Sequence, residues 1–316
     1  MRGKRKRKDV QEFQLKLLDN IFDLHNDLVT KTYKHGGYYA FNINDPKPRN
    51  IHKATVRDRL LHHAIYRKLY PFFDHTFVSD SFSCRLNKGT HRAIHRFISF
   101  GHKVSQNNTR TCWILKCDVK KFFASIDQRV LLKILGLYIP GGDINWLLGQ
   151  VVSSFKSVKE MVGLPLGNLT SQLLVNIYMN EFDQFMKHKI RTKYYIRYAD
   201  DFVILSHDRA YLQSLIQHIS NFLEQNLGLS LHPDKVFIKT LASGVDFLGW
   251  VHFLDHRVLR TATKNRMMKH MKENPKPEAT VSYLGMLSHG NTYKLQNMLK
   301  SFHTQNDSNS RRKSSA

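Results

Sequence analysis

Cysteine is scarce. The 316 residues hold three, Cys84, Cys112 and Cys117, with no C-x-x-C pair and no zinc-type spacing. That excludes a disulfide framework, and the three are expected to be ordinary buried thiols in a reducing compartment. Long apolar runs are missing too. None approaches the roughly 18 residues of a membrane span. The basic start MRGKRKRKDV leads into no apolar stretch of the kind a secretory signal needs. There are no internal repeats. Acid is short: 25 Asp+Glu stand against 49 Lys+Arg, a formal net charge of +24. A chain that is 41% hydrophobic with a pI near 10 can bury a core, and its charge still calls for a polyanionic partner, most commonly nucleic acid. Six of the first eight residues are basic, which fits either a phosphate-gripping arm or a solvated tail.

What is present is an alternation of helical and strand patterns. Phe13, Leu17, Ile21 and Leu24 recur at helical spacing between Asp9 and Lys34. YYAFNI reads as a strand, and Pro46 and Pro48 forbid a helix after it. Thr55 is placed to cap a helix from Val56 that carries Leu60, Leu61, Ile65 and Leu69, and GTHRAIHRF opens another. Cys112–Val119 reads as a buried strand. LLKILGLYI and INWLLGQVVSSF are helices separated by Pro140, Gly141 and Gly142. A long helix follows LPLGN with Leu173, Ile177 and Phe182 inward, and YIRYADDFVIL is a strand–turn–strand. Ala210–Leu227 is helical, GVDFLGWVHFL a hairpin, and the chain from about Arg257 basic and helical. The end, TQNDSNSRRKSSA, is polar, of low complexity and expected to be disordered. Interleaved helices and antiparallel hairpins make the class α+β.

Asp200 and Asp201 share the turn of YIRYADDFVIL, and Asp118 ends the apolar strand CWILKCD. Taken alone, paired acids at a hairpin turn are usually a solvated tip. Three carboxylates converging at strand ends in so basic a chain make a cation site instead. Mg²⁺ takes oxygen ligands and leaves room for substrate phosphates. Two such ions about 4 Å apart activate a hydroxyl and stabilise a leaving pyrophosphate.

A strand ending in D-x-x-x-F-F and, 82 residues later, Y-A-D-D between apolar strands resembles the palm motifs of reverse transcriptases. The blocks NDPKPRNIHKATVRDRLLHHA, DSFSCRLNKGTHRA, GLPLGNLTSQ, YIRYADDF, GVDFLGW and SYLGMLSHGNTYKL, in this order, are similar to those of the reverse transcriptases of diversity-generating retroelements. The resemblance implies a right-hand polymerase fold with fingers, a palm built on an antiparallel sheet, and a short helical thumb. It places a basic arm and helix at 1–36, fingers at 37–110, palm at 111–132, a helical insertion at 133–162, and palm again at 163–255 with a primer-grip hairpin at 244–255. The thumb falls at 256–303 and a tail at 304–316. It also implies copying of a template-repeat RNA into adenine-mutagenised cDNA that replaces a repeat in a target gene. The partners would be the RNA, the RNA/cDNA duplex, dNTPs and a basic, oligomeric accessory variability protein, in the cytoplasm of a prokaryote or from a phage. A group II intron-like or retron reverse transcriptase, and a silent RNA-binding scaffold, remain the alternatives.

Residue by residue, the resemblance makes Asp118, Asp200 and Asp201, with the backbone of Val119, the ligands of two Mg²⁺ ions that Mn²⁺ can replace. Asp127 is expected to be structural. Phe123 is implied as an aromatic gate that excludes a 2′-hydroxyl. Leu166, Gly167 and Gln172 belong to the nucleotide loop. Leu166 stands where retroviral and group II intron enzymes have Gln, and Gln172 where they have Pro, so low fidelity is expected. Arg49 and Arg57 are candidate triphosphate contacts and Lys235 a candidate proton donor to pyrophosphate. His91, Arg92, Arg96, Gly249 and Trp250 are candidate nucleic-acid contacts.

Overall fold

The computed structural model describes residues 3–44, 48–157, 159–273 and 276–301. The tail 304–316, read above as disordered, lies outside the described residues. A first sheet pairs β1 (Tyr38–Ile43) with β2 (Arg49–Ala54), antiparallel, from Tyr38 opposite Ala54 to Ile43 opposite Arg49. A four-stranded sheet uses β3 (Trp113–Asp118), β4 (Tyr195–Tyr198), β5 (Asp201–Ser206) and β6 (Phe237–Thr240) in the order β4-β5-β3-β6. A third sheet runs β7 (Val245–Phe247), β8 (Trp250–His252) and β9 (Arg257–Leu259), all antiparallel. Most expected elements form where the residues predict them. The short strands β6 and β9 were not foreseen; Arg257–Leu259 was expected to be helical. Strands of four and three residues are too brief to leave an alternating pattern in sequence.

The chain divides into two compact units. One comprises Met1–Gly89, Lys116–Val203 and Ser214–Val236; the other comprises Thr90–Leu115, Ile204–Gln213 and Phe237–Ala316.

In the first unit the helix Leu169–Gln184 is the core rod, with Leu173, Leu174, Ile177, Tyr178 and Phe182 buried. It packs on the helix Val56–Thr76. Thr55 caps that helix by accepting the Asp58 N–H, as its hydroxyl suits. The amphipathic N-terminal stretch is broken into helices Lys8–Leu15 and Leu17–Val29; Leu24 is buried, but Ile21 is exposed. Asp127 accepts from Arg129 N–H and Val130 N–H at 2.8 and 3.1 Å, the structural cap expected of it. Cys84 is exposed, contrary to expectation, and adopts φ +53° in a turn; Cys112 and Cys117 are buried.

In the second unit Ile94 from the helix Thr90–Ser105 joins Trp250, Leu259, Met267, Met271, Leu287 and Leu299 in one apolar cluster. The tight turn of β7–β8 places Leu248 and Gly249 at φ +51° and +87°, the primed geometry that a two-residue hairpin demands. Among the described residues no helix is long and apolar enough to cross a membrane.

Candidate active site

Strand β3 reads WILKCD because it is covered on both faces: Ile114, Leu115 and Cys117 are buried, and it emerges only at its ends, Trp113 and Asp118. Its neighbour β5 begins at Asp201. The turn joining β4 to β5 is Ala199–Asp200, with Ala199 in the left-handed region at φ +57°. Val119 N–H donates to the Asp200 carbonyl at 3.1 Å. On the other side, His232 N–H donates to the Asp118 carbonyl at 2.8 Å and Lys120 N–H to the Ser230 carbonyl at 2.9 Å. The end of β3 is thus pinned from both sides.

The side chains follow. Lys235, on the short 3₁₀ turn Pro233–Lys235, places Nζ 2.8 Å from Asp118 Oδ1. Lys116, an unusual lysine in a buried strand, places Nζ 3.1 Å from Asp201 Oδ2. Asp201 Oδ1 is buried with no hydrogen-bond partner. Burial pushes the Asp200 carboxyl up; Asp118 adds to this, while Lys235 and Arg49 oppose it. Burial also pushes Asp201 up to about 6, against Lys116 and with help from Asp118 and Asp200. The charge of Asp118 therefore makes Asp200 and Asp201 harder to ionise, and Asp200 does the same to Asp201.

The donors gathered are oxygens, one of them unpartnered, which fits a hard divalent cation. Among the described residues no three His, Cys, Asp or Glu side chains are assembled into a group that could hold a metal ion. Lys235 and Lys116 draw Asp118 and Asp201 to separate partners.

The loop 164–172 is stitched to the segment that follows Asp118 and to β2. Leu164 N–H donates to the Phe123 carbonyl at 2.8 Å, and Gly163 N–H to Ile126 at 2.7 Å. The buried amide of Gln128 donates to the Gly163 carbonyl at 2.9 Å. Further along, His52 N–H donates to the Leu166 carbonyl at 2.9 Å, and Asn168 Nδ2 to the His52 carbonyl at 3.0 Å. Gly167 has φ +104°, and a Cβ there would lie 2.7 Å from Ile51 Cγ2, so conformation and space both demand glycine. The loop is therefore strapped to β2, the strand that begins with Arg49. Phe123 is half-buried, its ring edge-on to the buried Phe122 at 5.6 Å. Gln172 is exposed on the first turn of its helix.

Other expected residues lie elsewhere. Arg57 is paired with Asp27 and stacked over Tyr33, 5.2 Å from the ring centre. Trp250, expected among the nucleic-acid contacts, is 5% exposed, with Gly290 against its ring, and packs in the apolar cluster. Gly249 sits in the β7–β8 turn beside it. Arg96 stacks over Phe100 at 4.4 Å. His91 and Arg92 are exposed, and the His91 ring lies 4.1 Å from that of His289. Reading the sequence missed Lys116, Gln128 and Arg197. A charged residue within a buried strand is the signal that marks the first and last.

Residues 42–286 match the family described as reverse transcriptase (RNA-dependent DNA polymerase). The chain belongs to the reverse transcriptase family. It is 25% identical over 272 residues to protein YkfC of Escherichia coli, spanning 74% of this chain and 69% of YkfC. It is 21% identical over 316 residues to the group II intron-encoded protein LtrA of Lactococcus lactis, spanning 76% of this chain but 51% of that protein. Against the putative COX1/OXI3 intron 2 protein of Saccharomyces cerevisiae the identity is 22%, over 68% of this chain and 30% of the relative. The chain thus spans about half or less of the intron-encoded relatives it matches. Telomerase from Candida albicans, solved with a fragment of telomeric RNA, superposes with a TM-score of 0.53 at 12% identity, covering 74% of this chain and 49% of that one. At that identity the likeness speaks for the fold, which is the right-hand polymerase fold expected from the sequence.

Proposed function

We propose that this chain extends a primer by RNA-directed DNA synthesis at the Asp118–Asp200 centre. The observation that carries the reading is the meeting of two adjacent strand ends: Val119 N–H donates to the Asp200 carbonyl, and the Asp118 charge reaches the Asp200 carboxyl and pushes it up. Asp118 and Asp200, with Asp201 beside them, would hold Mg²⁺, or Mn²⁺ in its place. Such ions, when bound, neutralise the phosphates and favour ionisation of the primer hydroxyl. The chain's own residues do the rest. Lys235, whose Nζ lies 2.8 Å from Asp118, would give a proton to departing pyrophosphate. Arg49 adds positive charge toward Asp200. Phe123 closes the floor under the sugar, and Gly167 lets the backbone approach the base pair. Replacing Asp200 and Asp201 together with Ala should abolish dNTP incorporation on an RNA template while the protein stays folded. Survival of incorporation would refute the assignment.

Within the family, we infer a diversity-generating retroelement enzyme that copies a template-repeat RNA with errors concentrated at adenine. The support is the order of six sequence blocks and an apolar side chain at Leu166, which cannot hydrogen-bond where other reverse transcriptases carry Gln. On this reading a basic accessory variability protein shares the RNA. Sequencing cDNA made from a defined RNA tests it: accurate copying counts against it, and Leu166→Gln should raise accuracy. The likeness to intron-encoded proteins favours a second reading, an intron-type enzyme. A pair of flanking DNA repeats differing mainly at adenines would decide against that one.

A further inference from the structure

Behind the Ala199–Asp200 turn lies an arginine that no solvent reaches. Arg197 is 0% exposed, as are Asp183 and Tyr195. Its Nε and Nη2 donate to the two oxygens of Asp183 at 2.7 and 2.6 Å, a bidentate pair. Nη2 also donates to Ser81 Oγ at 3.1 Å, and Nη1 to Asn176 Oδ1 at 3.4 Å. The remaining contact is the telling one: Nη1 donates at 3.1 Å to the carbonyl of Ala199, two residues on, in the turn itself. All five N–H donors of the guanidinium thus have an acceptor. The main chain is held as firmly. Arg197 N–H donates to the Asp80 carbonyl, and Phe82 N–H to the Arg197 carbonyl, both at 3.0 Å. Asn176 and Asp183 are seven residues apart on the core helix Leu169–Gln184, so both project from one face.

Burying an ion pair is a poor way to gain stability, since well-packed apolar residues of similar volume often do as well or better. What this pair adds is direction. Ala199 is a non-glycine residue at φ +57°, a conformation that a free turn would leave. Its carbonyl is captured by a side chain anchored in the core. The next residue is Asp200, whose own carbonyl meets Val119 at the end of β3.

We propose that Arg197, clamped on Asp183, is a positioning residue that locks the Ala199–Asp200 turn and so aims the Asp200 carboxylate at Asp118. This rests on the polymerase reading above for its consequence in catalysis, but not for its structural content.

The test uses the full chain. Arg197→Met leaves Asp183 buried and uncompensated, so both melting temperature and extension should fall. Adding Asp183→Asn removes that charge while keeping an acceptor for the Tyr195 hydroxyl, which donates to Asp183 at 2.6 Å. The double variant should recover most of the melting temperature. Its kcat should stay down by about 100-fold, with KM for dNTP little changed, because a misaimed reacting group costs that much. In the metal-free protein, amide exchange at Ala199, Asp200, Asp201 and Val119 should stay faster than in the parent. Leu131→Ala, a fully buried site on another helix, serves as a control in which activity tracks stability. If activity returns with the melting temperature, or exchange at the turn in the double variant matches the parent, the role is structural only and the proposal falls. Where Arg197→Met does not fold, Arg197→Lys keeps the charge, loses the fork, and should show the same split. If the parent itself extends no primer, the polymerase reading fails, and the exchange rates still decide Arg197's role.

Discussion

Asp201→Asn should make the metal-free protein more stable while ending DNA synthesis. Asp201 sits with 19% of its side chain exposed, one oxygen on Lys116 and the other without a partner. Burial, reinforced by Asp118 and Asp200 and opposed by Lys116, raises its carboxyl from 3.8 to about 6. The folded chain therefore holds a proton that the unfolded chain releases between those values. The stability this group lends is fully present below about pH 4 and is lost as pH rises through 6. At about 1.4 kcal/mol for each pH unit between the two values, the ionised form weakens the fold by about 3 kcal/mol well above pH 6. Asparagine imitates the neutral acid and still offers Lys116 an acceptor. Urea unfolding in a chelating buffer should show parent and variant nearly equal at pH 4 and the variant about 3 kcal/mol ahead at pH 8. Millimolar Mg²⁺ should then narrow the gap by stabilising the parent selectively. A variant less stable at pH 8, or a difference that ignores pH, would refute the reasoning.

Phe123→Val should admit ribonucleotides, reducing discrimination against the 2′-hydroxyl by about 10- to 100-fold, as competing rNTP and dNTP incorporation would show. Trp250→Ala should cost about 3–5 kcal/mol of stability by opening a cavity in its apolar cluster, with RNA affinity per folded molecule unchanged in a filter-binding titration. Gly167→Ala forces a side chain into φ +104° and onto Ile51. It should lower kcat and loosen the loop–β2 strap, seen as faster exchange of the His52 amide.

The chemistry of this protein was legible wherever it rests on local signals. An apolar run ending in Asp118, a turn carrying Asp200, a glycine at Gly167 and a threonine cap at Thr55 are each set by a few neighbouring residues. The α+β class followed from their order. Roles that depend on a distant partner were not legible. Arg49 and Arg57 look alike in sequence; folding turns Arg57 to Asp27, thirty residues away, and leaves Arg49 in the field of Asp200. Trp250 sits in a hairpin that suggests nucleic acid, yet Ile94 and Met267 bury it. Arg197 was passed over beside its conspicuous neighbours, because its meaning lies in Asp183 and Ser81, which only tertiary packing brings to it. Sequence by itself determined which residues carry charge and where the chain turns. Tertiary structure alone decided which charges meet, because a buried ion's partner is chosen by the whole core that excludes water around it.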